Sequence, residues 1–187
     1  MADTADLTGK RVLTIVTSYG VEQDELVVPL EHLRAAGARV VVASNEAGEV
    51  RTLVGDKDPG RTVPVDATYD EVDPADADLL LVPGGTINAD TLRLQEEAVG
   101  IVEKFARSGR PVAAICHGPW ALVEAGCVRG ATLTSYPSLA TDVRNAGGTW
   151  VDRPVVLDDG AGFPLVTSRK PDDLDDFLGQ VDAVLTR

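Results

Sequence analysis

Short apolar runs rich in β-branched residues recur along the chain, and segments with apolar residues at helical spacing separate them. The clearest runs are residues 11–17, 39–43, 77–82 and 111–115. A strand that is apolar at every position is covered on both faces, as the strands of parallel sheets are. Strands alternating with helices at this spacing predict an α/β protein with a doubly wound, mostly parallel sheet.

The other elements follow from the same periodicities. Predicted helices contain Leu26, Leu30 and Leu33 before Gly37, and cover residues 90–107, 120–126, 137–146 and 171–186; further strands are predicted at 131–134, 154–157 and 164–167. Residues 45–66 carry several glycines and prolines among short apolar pairs, which indicates a hairpin or an irregular excursion.

The length of 187 residues fits one domain, residues 1–187, in which residues 1–9 are expected to form a flexible tail. Lys and Arg number 17 against 30 Asp and Glu, giving a net charge of −13 that would repel nucleic acid and anionic membrane surfaces. The sequence contains neither an apolar stretch of the roughly 20 residues that a spanning helix needs nor a signal-peptide pattern. We therefore expect a cytoplasmic protein without nucleic-acid or membrane partners.

The few cysteines and histidines limit the chemistry that the chain can support. Two cysteines, Cys116 and Cys127, cannot build a disulfide framework, and two histidines leave a closed Cys/His zinc site without ligands. Nucleotide-binding glycine loops and zincin motifs are absent from the sequence. We expect no metal and no cofactor, so a functional cysteine would act as a thiol.

The segment Ala114-Ile-Cys-His-Gly-Pro119 places a nucleophilic residue where a strand ends abruptly and a helix begins. This layout is typical of a nucleophile elbow. A helix start directs unpaired N–H groups and a positive dipole end toward the sulfur, which predicts a reactive Cys116 with a lowered pKa. His117 is either the general base for Cys116 or a residue that merely caps the helix.

Two other strand ends meet the same edge of a parallel sheet. Glu22 lies in the loop after the first strand, and Gly84 and Gly85 follow the strand at 77–82. A thiolate, a carboxyl group and a turn whose N–H groups stabilise an oxyanion would make a plausible site. Taken alone, Glu22 could be an acid at a helix N-terminus, a role that Glu25 fits better, and the glycines could form an ordinary tight turn.

The remaining chemistry-bearing residues have structural interpretations. His32 is expected on a solvated helix face, and Cys127 is expected to pack at a helix end. Trp120 and Trp150 are expected to be core or interface aromatics.

Four motifs of the chain resemble the PfpI branch of the ThiJ/PfpI superfamily. They are Ala114-Ile-Cys-His-Gly-Pro119, Leu81-Val-Pro-Gly-Gly85, Val21-Glu-Gln-Asp-Glu-Leu26 and Thr167-Ser-Arg-Lys-Pro-Asp-Asp-Leu174, in the family's order. The resemblance covers about residues 10–186. It implies a flavodoxin-like three-layer sandwich, and its members are described as intracellular cysteine peptidases, protein and nucleotide deglycases, cofactor-independent glyoxalases and general stress proteins.

The resemblance also implies roles for individual residues. Cys116 matches the family nucleophile, His117 its catalytic histidine and Glu22 the carboxyl that hydrogen-bonds the cysteine. The N–H groups of Gly85 and His117 match the oxyanion hole.

Asp90 matches an acid that, in peptidase-like members, reaches the histidine of a neighbouring subunit, so the resemblance implies a homodimer or homohexamer. Tyr19, Gly84 and Tyr136 match pocket positions. The chain departs from the pattern at Tyr19, where many relatives have Asp, and at Asp90, which is one methylene shorter than the Glu of some relatives. Both departures concern the pocket.

These features together predict a stress-response enzyme in which the Cys116 thiolate attacks an electrophilic carbonyl, as a protein deglycase or a cofactor-independent glyoxalase. The expected substrates are small carbonyl compounds or glycated proteins and peptides. One alternative is a PfpI-type cysteine peptidase. Another, of a different class, is a redox sensor or chaperone that uses oxidation of Cys116.

Overall fold

The computed structural model describes residues 5–187. The strands are β1 (Arg11–Ile15), β2 (Tyr19–Glu22), β3 (Arg39–Ser44), β4 (Glu49–Val54), β5 (Asp58–Pro64), β6 (Ala67–Thr68), β7 (Leu79–Val82), β8 (Val112–Ile115), β9 (Thr132–Leu133), β10 (Thr149–Trp150), β11 (Val155–Asp158) and β12 (Leu165–Ser168). The α-helices are α1 (Gln23–Ala35), α2 (Thr86–Leu92), α3 (Glu96–Arg107), α4 (Pro119–Glu124), α5 (Ala140–Asn145) and α6 (Leu174–Leu185). Short 3₁₀ turns lie at Tyr69–Glu71, Pro74–Asp76, Pro137–Leu139 and Pro171–Asp173.

The central sheet has seven strands in the order β11-β12-β8-β7-β1-β3-β6. Every neighbouring pair is parallel except the edge pair β11–β12, which is antiparallel. The predicted doubly wound, mostly parallel sheet is therefore confirmed. Its carboxyl edge, where β1, β7 and β8 end, is the place where such folds bind ligands.

Helices cover both faces of this sheet. In β7, Leu79 and Leu81 pack into the core that includes the buried residues of α1 and α6, whereas Leu80 and Val82 pack into the core that includes those of α3 and α4. Successive strand residues point to opposite faces, so a fully apolar strand supplies both cores. This arrangement confirms the three-layer sandwich.

The structure refines the predicted elements in two places. Residues 45–66 contain an antiparallel hairpin, β4–β5, which pairs with β2 in a separate three-stranded sheet. The helix predicted at 90–107 is two helices, because Arg93 caps α2 and the extended Gln95 begins α3. Leu94, an apolar residue within the predicted helix 90–107, lies between them and is 73% exposed.

The N-terminal segment packs on the domain from Leu7 onward. Leu7 is fully buried, and its N–H donates to the carbonyl of Ala36 at 2.8 Å. The prediction that residues 1–9 form a flexible tail is therefore wrong from Leu7 onward. Residues 1–4 lie outside the described residues. Across residues 5–187, the helices are too short or too polar to span a membrane.

The histidine of α1 has a structural partner. His32 Nε2 lies 2.9 and 3.0 Å from the two carboxylate oxygens of Asp182 in α6. The expected solvated position is wrong, because this half-buried pair links the two helices of one layer.

Candidate active site

The sharp turn after β8 holds Cys116 in a left-handed backbone conformation, with a φ of 61°. Its N–H donates to the carbonyl of Ser168 at 3.0 Å, and its own carbonyl accepts from the N–H of Tyr136 at 2.8 Å. A non-glycine residue in this conformation is strained and persists where the surrounding structure holds it. The turn has the geometry of the nucleophile elbow that the sequence predicts.

Gly84 allows the strand ends to approach closely. A Cβ at this position would lie 2.5 Å from Oε2 of Glu25 and 2.8 Å from both Cβ of Cys116 and N of His117. No side chain fits there without displacing the nucleophile or the carboxyl group. The next residue, Gly85, has a φ of 81°, a conformation that favours glycine.

Gly85 and His117 line the same cleft as Cys116, and their backbone N–H groups lower the pKa of the thiol. The structure thus brings together the two N–H groups that the resemblance assigns to the oxyanion hole. An oxygen atom bound next to the sulfur would find both donors already oriented.

The carboxyl group beside the sulfur belongs to Glu25. Its side chain is fully buried and interacts with Cys116, and its Oε2 accepts from the N–H of Gly84 at 2.9 Å. The other oxygen, Oε1, is buried without a partner in hydrogen-bond geometry. Burial is the main cause that raises the pKa of Glu25, to about 8, so the group is protonated at neutral pH.

Glu22 occupies a different position, and the prediction that it hydrogen-bonds the cysteine is wrong. Its Oε2 accepts from the N–H of Asp56 at 3.1 Å, in the turn between β4 and β5. Glu22 is the last residue of β2, whereas α1 begins at Gln23 and places Glu25 in its first turn. Burial raises the pKa of Glu22 too, against hydrogen bonds from Gly55 and Asp56 that lower it.

The ionisation of Cys116 also differs from the expectation. Burial raises the pKa of its thiol, and the charge of an ionised Glu25 would raise it further. The helix α4, whose dipole was expected to favour the thiolate, has six residues, and Cys116 precedes its first residue by three positions. Burial thus opposes ionisation of the thiol, so the sulfur needs an acceptor for its proton when it reacts.

His117 is placed to be that acceptor. Its Nδ1 lies 3.2 Å from the Cys116 sulfur, and its Nε2 lies 3.3 Å from the hydroxyl of Ser138. The ring stacks on Tyr136, with centroids 4.6 Å apart. Burial lowers the pKa of His117, which the charge of Asp56 partly opposes, so the imidazole is neutral at pH 7.

Asp90 does not contact His117 within this chain. Its carboxylate pairs with Arg93 at 3.0 Å, and its side chain is 58% exposed on α2. The guanidinium of Arg93 in turn lies 4.7 Å from the ring centroid of Trp120. A contact of Asp90 with the histidine of another subunit stays a prediction.

The reactive groups line a cleft of about 310 Å³ at the carboxyl edge of the sheet. Its lining combines the predicted residues Glu22, Gly85, Cys116, His117 and Tyr136 with Glu25, Gly55, Asp56, Thr86, Lys170 and Pro171. Tyr19 lies outside this lining, beneath the guanidinium of Arg51 at 5.3 Å. Asp56 was missed because its glycine-rich surroundings predict only a turn.

Introducing a methyl group at Gly84 tests how tightly the site is packed. We expect Gly84→Ala to lower the free energy of unfolding by about 1–3 kcal/mol, because the new Cβ overlaps Glu25 and the elbow. Gly100→Ala in α3 is the matched control, since a Cβ there meets nothing within 4 Å, and it should be neutral or slightly stabilising. Urea unfolding of both variants measures the difference; equal stabilities would contradict the packing described here.

Comparison with known proteins identifies relatives along most of the chain. The model of the DJ-1/PfpI family matches residues 10–182. A Pyrococcus horikoshii protein named Deglycase PH1704 is 43% identical over 159 residues, which are 85% of this chain and 90% of that protein. General stress protein 18 of Bacillus subtilis is 37% identical over 179 residues, 96% of this chain and 99% of that protein.

A solved structure supports the same relationship. It is a two-domain protein from Anabaena variabilis with DJ-1/ThiJ/PfpI-like and ferritin-like domains. The match has a TM-score of 0.86 and 30% identity, and it covers 95% of this chain and 50% of that one.

Proposed function

Because the chain belongs to the DJ-1/PfpI family, we propose that it is a cysteine-dependent enzyme of the stress response that acts on electrophilic carbonyls, as a protein deglycase or a cofactor-independent glyoxalase. The observation that carries this proposal is the constellation around one sulfur. Cys116 has the neutral Nδ1 of His117 at 3.2 Å, the protonated Glu25 beside it and two backbone N–H donors. One relative is named a deglycase and another a general stress protein, and these names support the activity and the stress response respectively.

The first step is addition of the sulfur to an aldehyde carbon. Nδ1 of His117 takes the thiol proton while the S–C bond forms, and the electron pair of the C=O bond moves to oxygen. The N–H groups of Gly85 and His117 stabilise the developing oxyanion, and Glu25 then supplies the proton that makes it a hydroxyl. The product of this step is a neutral hemithioacetal beside an imidazolium and a carboxylate.

A dicarbonyl such as methylglyoxal can then rearrange within the same cleft. The Glu25 carboxylate removes the proton on the carbon that bears sulfur, while the imidazolium of His117 protonates the neighbouring carbonyl oxygen, which gives an enediol. Glu25 then returns its proton to that neighbouring carbon, and the hydroxyl on the sulfur-bearing carbon gives its proton back to His117 and becomes the C=O of a thioester. Water hydrolyses the thioester to lactate and restores the thiol. For a glycated amine, the sulfur displaces the amine from the hemiaminal carbon, and the nitrogen leaves with the proton held by His117.

The surroundings of His117 favour this chemistry over peptide cleavage. Cleaving an amide requires a well-ordered imidazolium to protonate a poor leaving group. Within the described chain, Nε2 of His117 faces the hydroxyl of Ser138 rather than a carboxylate, and Asp90 pairs with Arg93. A peptidase would need Asp90 of a second copy to approach His117. A homodimer or homohexamer is part of the proposal for this reason. A cytoplasmic location is proposed as well.

Turnover of methylglyoxal and of glycated N-acetylcysteine by purified protein tests the proposal, with lactate as the measured product. Cys116→Ala should reduce the rate to background, whereas Cys127→Ala, which changes a half-buried thiol at the end of α4, should leave it intact. Absence of Cys116-dependent turnover together with ready oxidation of Cys116 to sulfinate would identify a redox sensor instead. Cleavage of casein without carbonyl turnover would identify a peptidase.

The pH dependence of kcat/KM is expected to be bell-shaped. The rate should fall on the acid side, because His117 must be neutral to accept the thiol proton, and this fall should lie at a lower pH than for an ordinary histidine because burial lowers the pKa of His117. It should also fall above about pH 8, where Glu25 loses the proton that it must deliver. Steady-state rates between pH 5 and 10 measure both limbs, and a rate that keeps rising above pH 9 would contradict the role of Glu25.

A further inference from the structure

We propose that Asp56, at the tip of the β4–β5 hairpin, is a positioning residue that fixes the N–H of Gly85 beside the reacting sulfur, and that Glu22 holds Asp56 in place for this purpose. The hairpin is then part of the active site rather than an accessory excursion. The inference deepens the proposed function, on which it rests, because the Gly85 N–H matters catalytically only if a carbonyl oxygen develops charge there.

Asp56 binds the residue that follows Gly85 through both of its carboxylate oxygens. Oδ1 accepts from the N–H of Thr86 at 2.8 Å, and Oδ2 accepts from its hydroxyl at 2.6 Å. Gly85 is the N-cap of α2 and has no side chain to bind the first helical N–H groups. Asp56 therefore supplies from a distant segment the acceptor that a capping side chain supplies in other helices.

The backbone of Asp56 has the left-handed conformation, which is uncommon for residues other than glycine. Its φ is 57°, and its N–H donates to Oε2 of Glu22 at 3.1 Å. Residues held this way are frequent where geometry serves a function. The carboxyl group of Glu22 thus acts on Asp56, which in turn holds Thr86. It does not make the direct contact with the sulfur that the sequence suggested.

The turn that Asp56 holds has little room to move. On its other side, a Cβ at Gly85 would lie 2.4 Å from the carbonyl oxygen of Gly20 and 2.5 Å from the N of Glu22. Gly85 is therefore confined between β2 and the hairpin tip, in the cleft that also contains Cys116, and the preceding residue Gly84 packs directly against the Cβ of Cys116. Oxyanion donors lose much of their effect when they shift by a fraction of an ångström, so the holding contacts affect the rate.

The hairpin does not depend on Asp56 to stay attached to the domain. The N–H of Arg61 donates to Oε1 of Gln23 at 2.9 Å, and the Arg61 guanidinium pairs with Glu31 of α1 at 3.1 Å. Strand β4 also pairs with β2. Substitutions at Asp56 should therefore leave the fold intact and alter the turn.

Two variants of Asp56 separate positioning from folding. Asp56→Asn keeps the shape but leaves only one oxygen to accept from Thr86, and Asp56→Gly removes the carboxylate while relieving the unfavourable φ. We expect kcat for methylglyoxal to fall by about 10-fold or more in both, with KM changed by less than about threefold. Asp58→Asn, on an exposed carboxylate of the same hairpin, is the matched control and should keep kcat within about twofold.

Amide hydrogen exchange of Gly85 and Thr86 tests the proposal without any substrate. Exchange of the Thr86 amide should be at least about 10-fold faster in Asp56→Gly than in the wild type, although the melting temperature is not lowered. Wild-type exchange rates at Thr86, or wild-type kcat in a folded Asp56→Gly, would overturn the positioning role. If the wild type turns over no carbonyl, the proposed function fails and the exchange measurement still decides on the role of Asp56.

Discussion

Replacing Glu25 with Gln is expected to lower kcat by about 10²–10⁴-fold, the usual contribution of a positioned general acid or base. Gln matches the shape of Glu, and its amide oxygen can still accept from the N–H of Gly84. It has no proton to deliver to the oxyanion and cannot remove one from carbon. The loss should therefore appear in kcat with little change in substrate binding.

Glu22→Gln is the matched comparison, since it makes the same chemical change three residues away. The oxygen of Gln can still accept from the N–H of Asp56, so kcat should fall by less than about 10-fold. Steady-state kinetics with methylglyoxal at pH 7 measure both variants. Should Glu22→Gln prove the more damaging of the two, the assignment of the proton-transfer role to Glu25 would be wrong.

The sequence predicts the sheet well because its strands can be recognised from their own consecutive apolar residues. Each of β1, β7 and β8 is apolar at consecutive positions, which in a soluble chain indicates a strand covered by helices on both faces. The sequence does not predict that Arg93 and Gln95 interrupt a helix, because Leu94 continues the apolar spacing while pointing to solvent. Periodicity records which residues could be buried, and tertiary contacts decide which ones are.

The sequence predicts those parts of the site that depend on local turns and misses those that depend on tertiary contacts. The positions of Cys116, His117 and Gly85 follow from local turns at strand ends, and the structure brings these residues together. The choice between Glu22 and Glu25 depends on where α1 begins, and a shift of three residues moves a carboxyl group by most of a helical turn. A helix start can rarely be placed from sequence within that margin.

The ionisation of the sulfur depends on burial, which a motif does not report. A strand end followed by Gly-Pro suggests a thiol near a helix start, and such a position lowers the pKa when the thiol is accessible. Cys116 is 6% exposed and lies beside a buried carboxyl group, so burial acts in the opposite direction. The proton therefore has to move during the reaction, which is why the neutral His117 matters.

The second large effect concerns stability. The pKa of Glu25 is raised by burial from 4.5 to about 8, so the folded protein retains a proton that the unfolded chain loses above pH 4.5. Because the folded state binds more protons in that window, the free energy of unfolding must decrease as pH rises from 4.5 to 8. The cost is about 3 kcal/mol at pH 7 and about 5 kcal/mol above pH 8, at 1.36 kcal/mol for each pKa unit.

Glu25→Gln removes this cost, because the amide does not ionise. We expect the variant to be more stable than the wild type by up to about 3 kcal/mol at pH 7, a rise in Tm of about 6–12 °C for a domain of this size, and to have the same stability at pH 4. Thermal unfolding of both proteins at pH 4, 7 and 9 measures the difference, and the subtraction cancels the titrating groups that do not interact with Glu25. A constant difference across this range would contradict a raised pKa at Glu25. If the stability difference between Glu25→Gln and the wild type grows with pH, the pKa of Glu25 is raised. The protein then retains a buried acid that lowers its stability at the position where the reaction needs a proton.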